Sequence, residues 1–378
     1  MSVLVSPFGD FSLERWPASS DQSLRAWDAA DELLMSHIHE HHQSALQSQA
    51  RVLICNDAHG ALGCALHAFN PIVWSDSCLA HSAIQKNWQR NALVGQADCL
   101  DSLSIPEGPF SLVLVKVPKT SALLEDQLAR IAPQIDEHSI VIAASLVRHL
   151  HRTAFALFEK YIGEVTTSLA VKKSRLVFCS TRADRTVMPS PYPDSYTDTQ
   201  LNITLLNHAN VFCRDRVDIG ARFFLSHTGQ LPLAGRIIDL ACGNGILGIH
   251  VQRLQPQAHL HFIDESYMAV ASAQANYAST ISSTNQAPVF TVGNGLEEVE
   301  SDAADLILCN PPFHVQHAIA DDTARSFFKQ AARCLSRHGQ LWVVANRHLR
   351  YRAYLKRYFE HCELVQGNSK FVLFKAWN

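Results

Sequence analysis

Short apolar runs without polar alternation recur along the chain, each closed by a polar or glycine-containing turn. Arg51-Val52-Leu53-Ile54-Cys55 and residues 72–74, 110–115, 139–144 and 175–179 form one series, with residues 164–169 a further, more polar strand beside the last. Arg236-Ile237-Ile238-Asp239-Leu240 and residues 259–263, 305–309 and 340–345 form another. Runs of this length that stay apolar at successive positions read as strands buried on both faces, as in parallel sheets. Between them the pattern predicts helices over residues 24–35, 63–69, 79–91, 123–135, 148–161 and 246–254. Strands alternating with helices predict an α/β fold.

Laid one on the other, the two series repeat. The 51–55 strand, its loop ending in Gly60 and the helix after it match 236–240, the loop at 241–245 and the helix at 246–254. Residues 72–74 with Asp76 match 259–263 with Asp264, and 110–115 match 305–309. Arg148-His149-Leu150 echoes Arg347-His348-Leu349, and Ser174-Arg175-Leu176-Val177-Phe178 echoes Ser369-Lys370-Phe371-Val372-Leu373. The period is too long for a solenoid and predicts duplication of a whole α/β unit. The expected architecture is two tandem, doubly wound, Rossmann-like folds over residues 1–179 and 201–378. Residues 180–200, with Pro189, Pro191 and Pro193, read as the connection.

The 378-residue length accords with more than one domain. A hydrophobic content of 47% with 18% charged residues excludes a disordered or collagen-like chain. No apolar run reaches bilayer length and the N-terminus lacks a signal-peptide pattern, so a cytoplasmic protein is expected. Ten cysteines without C-x-x-C spacing point to reduced thiols. The net charge of −3 argues against a uniformly basic nucleic-acid binder. Yet from Asp322 to Glu360 no acid intervenes, while Arg325, Lys329, Arg333, Arg337, Arg347, Arg350, Arg352, Lys356 and Arg357 fall there, a local positive field that suits RNA.

The chemistry gathers in the second half. Asp239 ends a strand that opens through Ala241-Cys242-Gly243-Asn244-Gly245 into a helix; glycines let a ligand approach the backbone, and the acid suits an amine or hydroxyl. Asp264 ends the next strand, where nucleotide-binding α/β folds place a carboxylate on ribose hydroxyls. Gly243, Gly245 and Gly248 have the G-x-G-x-x-G spacing, so a nicotinamide dinucleotide is the first alternative; the lack of a second phosphate-binding loop weighs against it. At a third strand end stands Asn310-Pro311-Pro312-Phe313. Two prolines stiffen the turn and remove two N–H donors, leaving carbonyl acceptors beside an aromatic face. Such a site fits a planar group bearing N–H2, whether a nucleobase amine or a carboxamide.

Asp239-x-x-x-Gly243-x-Gly245, Asp264, Asn294 and Asn310-Pro311-Pro312-Phe313 together resemble the S-adenosylmethionine-dependent methyltransferases of exocyclic and amide nitrogens. The duplicated layout is similar to that of the rRNA guanine-2-amino methyltransferases. So are His208-Ala209-Asn210-Val211-Phe212, Asp218-Ile219-Gly220-Ala221-Arg222-Phe223-Phe224 and Ala345-Asn346-Arg347-His348-Leu349, and the likeness covers essentially the whole chain. The resemblance implies a catalytic second unit, a degenerate first unit and 23S rRNA as substrate. It implies that Asp239, Gly243 and Gly245 line the methionine end of S-adenosylmethionine, that Asp264 holds the ribose, and that Asn294 lies near the adenine. Phe212 and residues 218–222 would close the pocket. Asn310 and the Pro311 carbonyl would accept from the guanine amine, with Phe313 stacking on the base. Ala241 departs from the commoner glycine.

Three alternatives stay open at this level: the same reaction on 16S rRNA, a glutamine-amide methyltransferase, for which Tyr in place of Phe313 is usual, and a non-catalytic RNA-binding protein. His37-Ile38-His39-Glu40-His41-His42 and His314-Val315-Gln316-His317 lack partners for a closed metal site, and none is expected. In the first half Ile54, Ala58 and Lys116-Val117-Pro118-Lys119 stand where the second half has Asp239, Gly243 and Asn310-Pro311-Pro312-Phe313. That half is expected to hold no cofactor. Lys116 and Lys119 are expected to face solvent or RNA, with Arg148, Arg152, Lys160, Lys172, Lys173 and Arg175 continuing a basic surface that positions rRNA.

Overall fold

The computed structural model describes residues 2–46, 50–182, 185–282, 286–312 and 317–378, the side chains of residues 317 and 318 excepted. The chain divides into two units, Met1–Tyr192 and Pro193–Asn378. Each is built on a seven-stranded sheet. In the first unit the order is Asp98–Asp101, Ile72–Ser75, Val52–Cys55, Leu112–Lys116, Ile140–Leu146, Ser174–Thr181 and Gly163–Thr167. In the second it is Val289–Val292, His259–Asp264, Arg236–Leu240, Ala304–Cys309, Leu335–Asn346, Phe371–Trp377 and His361–Gly367. Five strands of each sheet run parallel and the last two pair antiparallel.

The unalternating runs are explained by helices on both sheet faces. Val52 and Ile54 enter one buried cluster with Leu34, Ile38 and Ile84, while Leu53 and Cys55 enter the other with Leu124, Leu128 and Phe158. The second unit repeats this, with Ile237 on one face and Ile238 and Leu240 on the other. Each such fully buried aliphatic side chain contributes about 1.5–3 kcal/mol over leaving it exposed.

A hairpin precedes each sheet, Ser2–Ser6 with Gly9–Leu13 and Asp194–Asp198 with Ile203–Asn207. The second hairpin begins inside the stretch read as a connection. Its strands carry too many polar residues for an apolar run to mark them.

The first helix spans Ala29–His41, five residues later at its start than the pattern suggests. Asp28 caps it, accepting from Ala30 N at 2.8 Å, while Asp31 returns a carboxylate to Asp28 N at 2.9 Å. His37, His39 and His41 therefore lie within this helix and not after it. The His37 ring packs 4.8 Å from Phe178. Among the described residues no cluster of His, Cys, Asp or Glu can hold a metal, and no helix is long and apolar enough to cross a membrane. All ten cysteines are free thiols.

The duplication extends to individual bonds. Asn87 donates through Nδ2 to the carbonyls of His59 and Glu14, both at 2.8 Å, and accepts from Glu14 N at 3.0 Å. Asn276 donates to the carbonyls of Asn244 at 3.0 Å and Leu206 at 2.9 Å, and accepts from Leu206 N at 2.7 Å. In both units one buried amide ties the loop after the central strand, Val52–Cys55 or Arg236–Leu240, to the end of the hairpin.

Two string matches prove out of register. Leu146 pairs with Ser174 and Asn346 with Phe371 as the last rungs of their ladders, so Arg148 corresponds to His348 and Ser174 to Phe371. Likewise Cys55 pairs with Trp74 and Leu240 with Ile263, which makes Ser75, not Asp76, the counterpart of Asp264.

Candidate functional site

In the second sheet the chain runs outward in opposite directions from Arg236–Leu240 and Ala304–Cys309, adjacent parallel strands with Leu240 beside Cys309. Ligands of open α/β sheets bind beyond the carboxyl ends of strands at such a switch point. The register sets the glycine loop, starting at Ala241, next to Asn310.

Ala241, Gly243 and Gly245 all have positive φ, at 57°, 54° and 82°. The two glycines differ in function. A Cβ at Gly243 would meet no atom within 4 Å, so its backbone borders open space, whereas one at Gly245 would stand 3.0 Å from the Ala273 Cβ. Gly245 permits close packing of the loop on the helix Tyr267–Thr280, and Gly243 is the residue that leaves room for a ligand. Ala241 makes the loop costlier than expected, since a left-handed angle at a residue with a side chain costs about 1–2 kcal/mol.

Asp239 is 1% exposed. Its Oδ2 accepts from Gly248 N at 2.8 Å, so the carboxylate anchors the first turn of Ile246–Leu254. Burial, with Asp264 nearby, pushes its pKa up to about 7. Asp264 reaches back to the loop: Oδ2 accepts from Gly243 N at 2.9 Å and Oδ1 from Ser266 N at 3.1 Å. The next strand end comes alongside, with Gly293 N bonded to Asp264 O at 2.9 Å, and Asn294 follows with its Nδ2 on Glu297 at 2.9 Å. Upstream of these, His208 N bonds Ser272 at 3.0 Å and Asn210 N the Met268 sulfur at 3.4 Å, holding the segment before Phe212 on the helix that starts after Asp264. The Phe212 ring is 51% exposed.

Asn310 stands across the switch point. Its Nδ2 donates to Asp218 Oδ2 at 3.4 Å, and its Oδ1 is buried with no hydrogen-bond partner among the described residues. A buried acceptor left unpaired costs about 1–3 kcal/mol and marks a group kept for another use. Pro311 is buried and Pro312 exposed. Phe313 and His314 lie outside the described residues.

Sequence reasoning missed the asparagines behind the loop. Asn244 donates to Asn207 at 2.9 Å, and Asn207 in turn to the Arg214 carbonyl at 3.0 Å, so Asn207, Asn244 and Asn276 form a buried chain that fixes the loop from behind. Only the Gly-Asn-Gly string hinted at it.

The first unit has rebuilt each of these places. Ile54 replaces Asp239, and the helix-anchoring carboxylate has moved into the loop, where Asp57 accepts from Gly60 N at 2.9 Å and Gly63 N at 2.8 Å. Lys116, in the place of Asn310, does not face solvent. It is partly buried, with its amine 2.9 Å from Asp28 and 2.7 Å from Asp31. Burial works against that charge, but the two carboxylates prevail and hold the lysine above its ordinary pKa. Lys160 and Lys172 are exposed and each pairs with a carboxylate, Glu125 at 2.8 Å and Glu32 at 2.9 Å. Lys119, Arg148, His151 and Arg152 are exposed as well.

Known proteins match both halves. Residues 1–183 match the RLMG N-terminal domain and residues 202–375 the methyltransferase small domain. Over all 378 residues the chain is 46% identical to the ribosomal RNA large subunit methyltransferase G of Pseudomonas aeruginosa PAO1, covering 100% of both chains. It is 44% identical to that of Ectopseudomonas mendocina, again covering 100% of both. Among solved structures, the T. thermophilus 16S rRNA N2 methyltransferase RsmC, in complex with AdoMet and guanosine, shares the fold with a TM-score of 0.74. It is 17% identical, over 100% of this chain and 97% of that one. The two domain matches and the full-length identities agree, and the chain belongs to the ribosomal RNA large subunit methyltransferase G family.

Proposed function

We propose that the second unit transfers a methyl group from S-adenosylmethionine to the exocyclic 2-amino group of a guanine in 23S rRNA. The observation that carries this reading is the Asn310 amide: nitrogen anchored on Asp218, oxygen buried and unpartnered among the described residues, beside a loop whose Gly243 leaves open space. Membership of a family named for large-subunit rRNA supports 23S over 16S.

The residues present fit the cofactor. Gly243 would pass its backbone along the methionine end, Asp239 would hold the loop and helix in place behind it, and Asp264 would offer its remaining lone pairs to ribose hydroxyls. Asn294 and Phe212 would flank the adenine side. S-adenosylmethionine, when bound, supplies an electrophilic sulfonium methyl group.

The chain's own contribution is orientation. The lone pair of a guanine 2-amino group is delocalised into the ring and attacks poorly. Two acceptors, Asn310 Oδ1 and the Pro311 carbonyl, would each take one N–H and hold the amine so that its lone pair points along the line to the sulfonium methyl. Their partial negative charge also favours the positive charge that develops on nitrogen. A strong base is not needed, because the methylated nitrogen is acidic. Phe313 would stack on the base, worth about 1–3 kcal/mol. The first unit, with Lys116 tied to Asp28 and Asp31, would hold no cofactor. Its exposed Lys119, Arg148, His151 and Arg152 would contact rRNA phosphates. An rRNA substrate supports a cytoplasmic location.

The test is a map of 2-methylguanosine in both ribosomal RNAs from cells with and without this protein. Loss of one modification in 23S rRNA, restored by the wild-type chain, is expected; an unchanged 23S map, or a loss confined to 16S rRNA, contradicts the reading.

A further inference from the structure

We infer that Asp218 is a positioning residue for methyl transfer: its carboxylate dictates which way round the Asn310 amide stands. The inference rests on the reading of Asn310 as the acceptor for the target amine. An asparagine amide can present oxygen or nitrogen to a ligand, and the two orientations differ little in shape. Only the first binds an N–H2 group. A carboxylate oxygen accepts, so the Asp218 carboxylate beside the amide selects the rotamer with nitrogen toward it and Oδ1 free for the site.

Asp218 is itself held. It is the N-cap of the helix Ile219–Leu225, where Oδ2 accepts from Ala221 N at 3.0 Å as well as from Asn310 at 3.4 Å. Oδ1 lies 3.9 Å from the Cys213 thiol. Gly220 keeps the approach open: a Cβ there would stand 3.0 Å from Asp218 Oδ2 and 3.6 Å from Asn310 Oδ1.

The first unit supplies independent support. Its counterpart of Asp218 is Asp28, N-cap of the helix that precedes the sheet, and its counterpart of Asn310 is Lys116. These two are also in contact, at 2.9 Å. The carboxylate has kept its place while its partner changed from an amide to an amine, and in both units the partner donates to it.

Two variants separate positioning from capping. Asn and Ser cap helices about as well as Asp, so Asp218→Asn and Asp218→Ser should leave the helix and the fold intact. The amide introduced by Asp218→Asn would offer a donor as well as an acceptor and no longer select the rotamer; the shorter hydroxyl introduced by Asp218→Ser would not reach Asn310. Both should lower kcat on the order of 100-fold. The affinity for S-adenosylmethionine and the Tm should stay near wild type. In a spectrum of protein labelled with 15N at asparagine, the Asn310 side-chain resonances, assigned by their absence in Asn310→Ala, should shift in both variants. Turnover within threefold of wild type, unshifted resonances, or activity lost only in proportion to folded protein would overturn the inference. If Asn310→Ala itself stays active, the acceptor reading fails; if it is inactive while both Asp218 variants turn over normally, the positioning role alone fails.

Discussion

The carboxylate of Asp264 accepts from the backbone of Gly243 at 2.9 Å, so the acid at the end of one strand is bonded to the glycine at the open point of the neighbouring loop. This couples two parts of the proposed cofactor site that sequence spacing treats as separate. Asp264→Ala would remove acceptors for the ribose and also release Gly243. Hydrogen bonds to charged groups contribute about 1.5–3 kcal/mol each. Cofactor affinity should fall roughly 100-fold or more by calorimetry, and the Tm of the unliganded protein should fall by a few degrees, since the bonds from Gly243 N and Ser266 N are lost as well. Unaltered affinity would show that the ribose is held elsewhere.

Asp239 gives a pH prediction. Its pKa in the fold is about 7, raised by burial from an ordinary value of 3.8, so the folded chain takes up this proton more readily than the unfolded chain. Stability from this group is therefore present below the unfolded value and is lost as pH rises from about 4 through about 7. Asp239→Asn keeps an acceptor for Gly248 N and cannot ionise. The difference in Tm between variant and wild type should move in favour of the variant as pH is raised from 5 to 8. A difference that stays flat over that range would mean Asp239 is not the titrating group.

The first unit is proposed to touch rRNA through Lys119, Arg148 and Arg152, which are exposed, and not through Lys116, Lys160 or Lys172, which are engaged with carboxylates. Replacing Lys119, Arg148 and Arg152 by Ala in the full chain should weaken rRNA binding. The slope of log affinity against log salt should fall by roughly 0.7–0.9 for each phosphate that is no longer neutralised. Cofactor affinity should not change. Equal rRNA affinity and equal slope would leave this unit without that role.

The sheet strands were legible because burial on both faces leaves an unbroken apolar run, as Val52-Leu53-Ile54-Cys55 shows. The duplication was legible from element order, but its register was not. Strings such as Arg148-His149-Leu150 match by chance one step out of phase, whereas the true correspondence rests on backbone pairing and on bonds such as those of Asn87 and Asn276. A buried asparagine looks like any polar residue in a helix pattern until its partners are known. Lys116 misled for the same reason: its neutralising partners, Asp28 and Asp31, lie more than eighty positions earlier. Asp57 gave no sign in sequence that it had taken over the bond Asp239 makes, because a helix anchor can be supplied from the strand or from the loop. Ala241 shows the limit of a residue-type rule, since the cost of its missing hydrogen depends on a φ of 57° that only the structure supplies. Asn310, by contrast, was singled out by the two prolines after it, and the structure adds the contact with Asp218 that orients it.

The most direct measurement is made on Asn310→Ala. The acceptor acts on the amine during transfer and does not hold the cofactor, so removing it should lower turnover by on the order of 100-fold or more. Calorimetry on the same preparation should find S-adenosylmethionine affinity within a fewfold of wild type. Turnover close to wild type in this variant, with the cofactor bound normally, would contradict the assignment of Asn310 as the group that presents the target nitrogen.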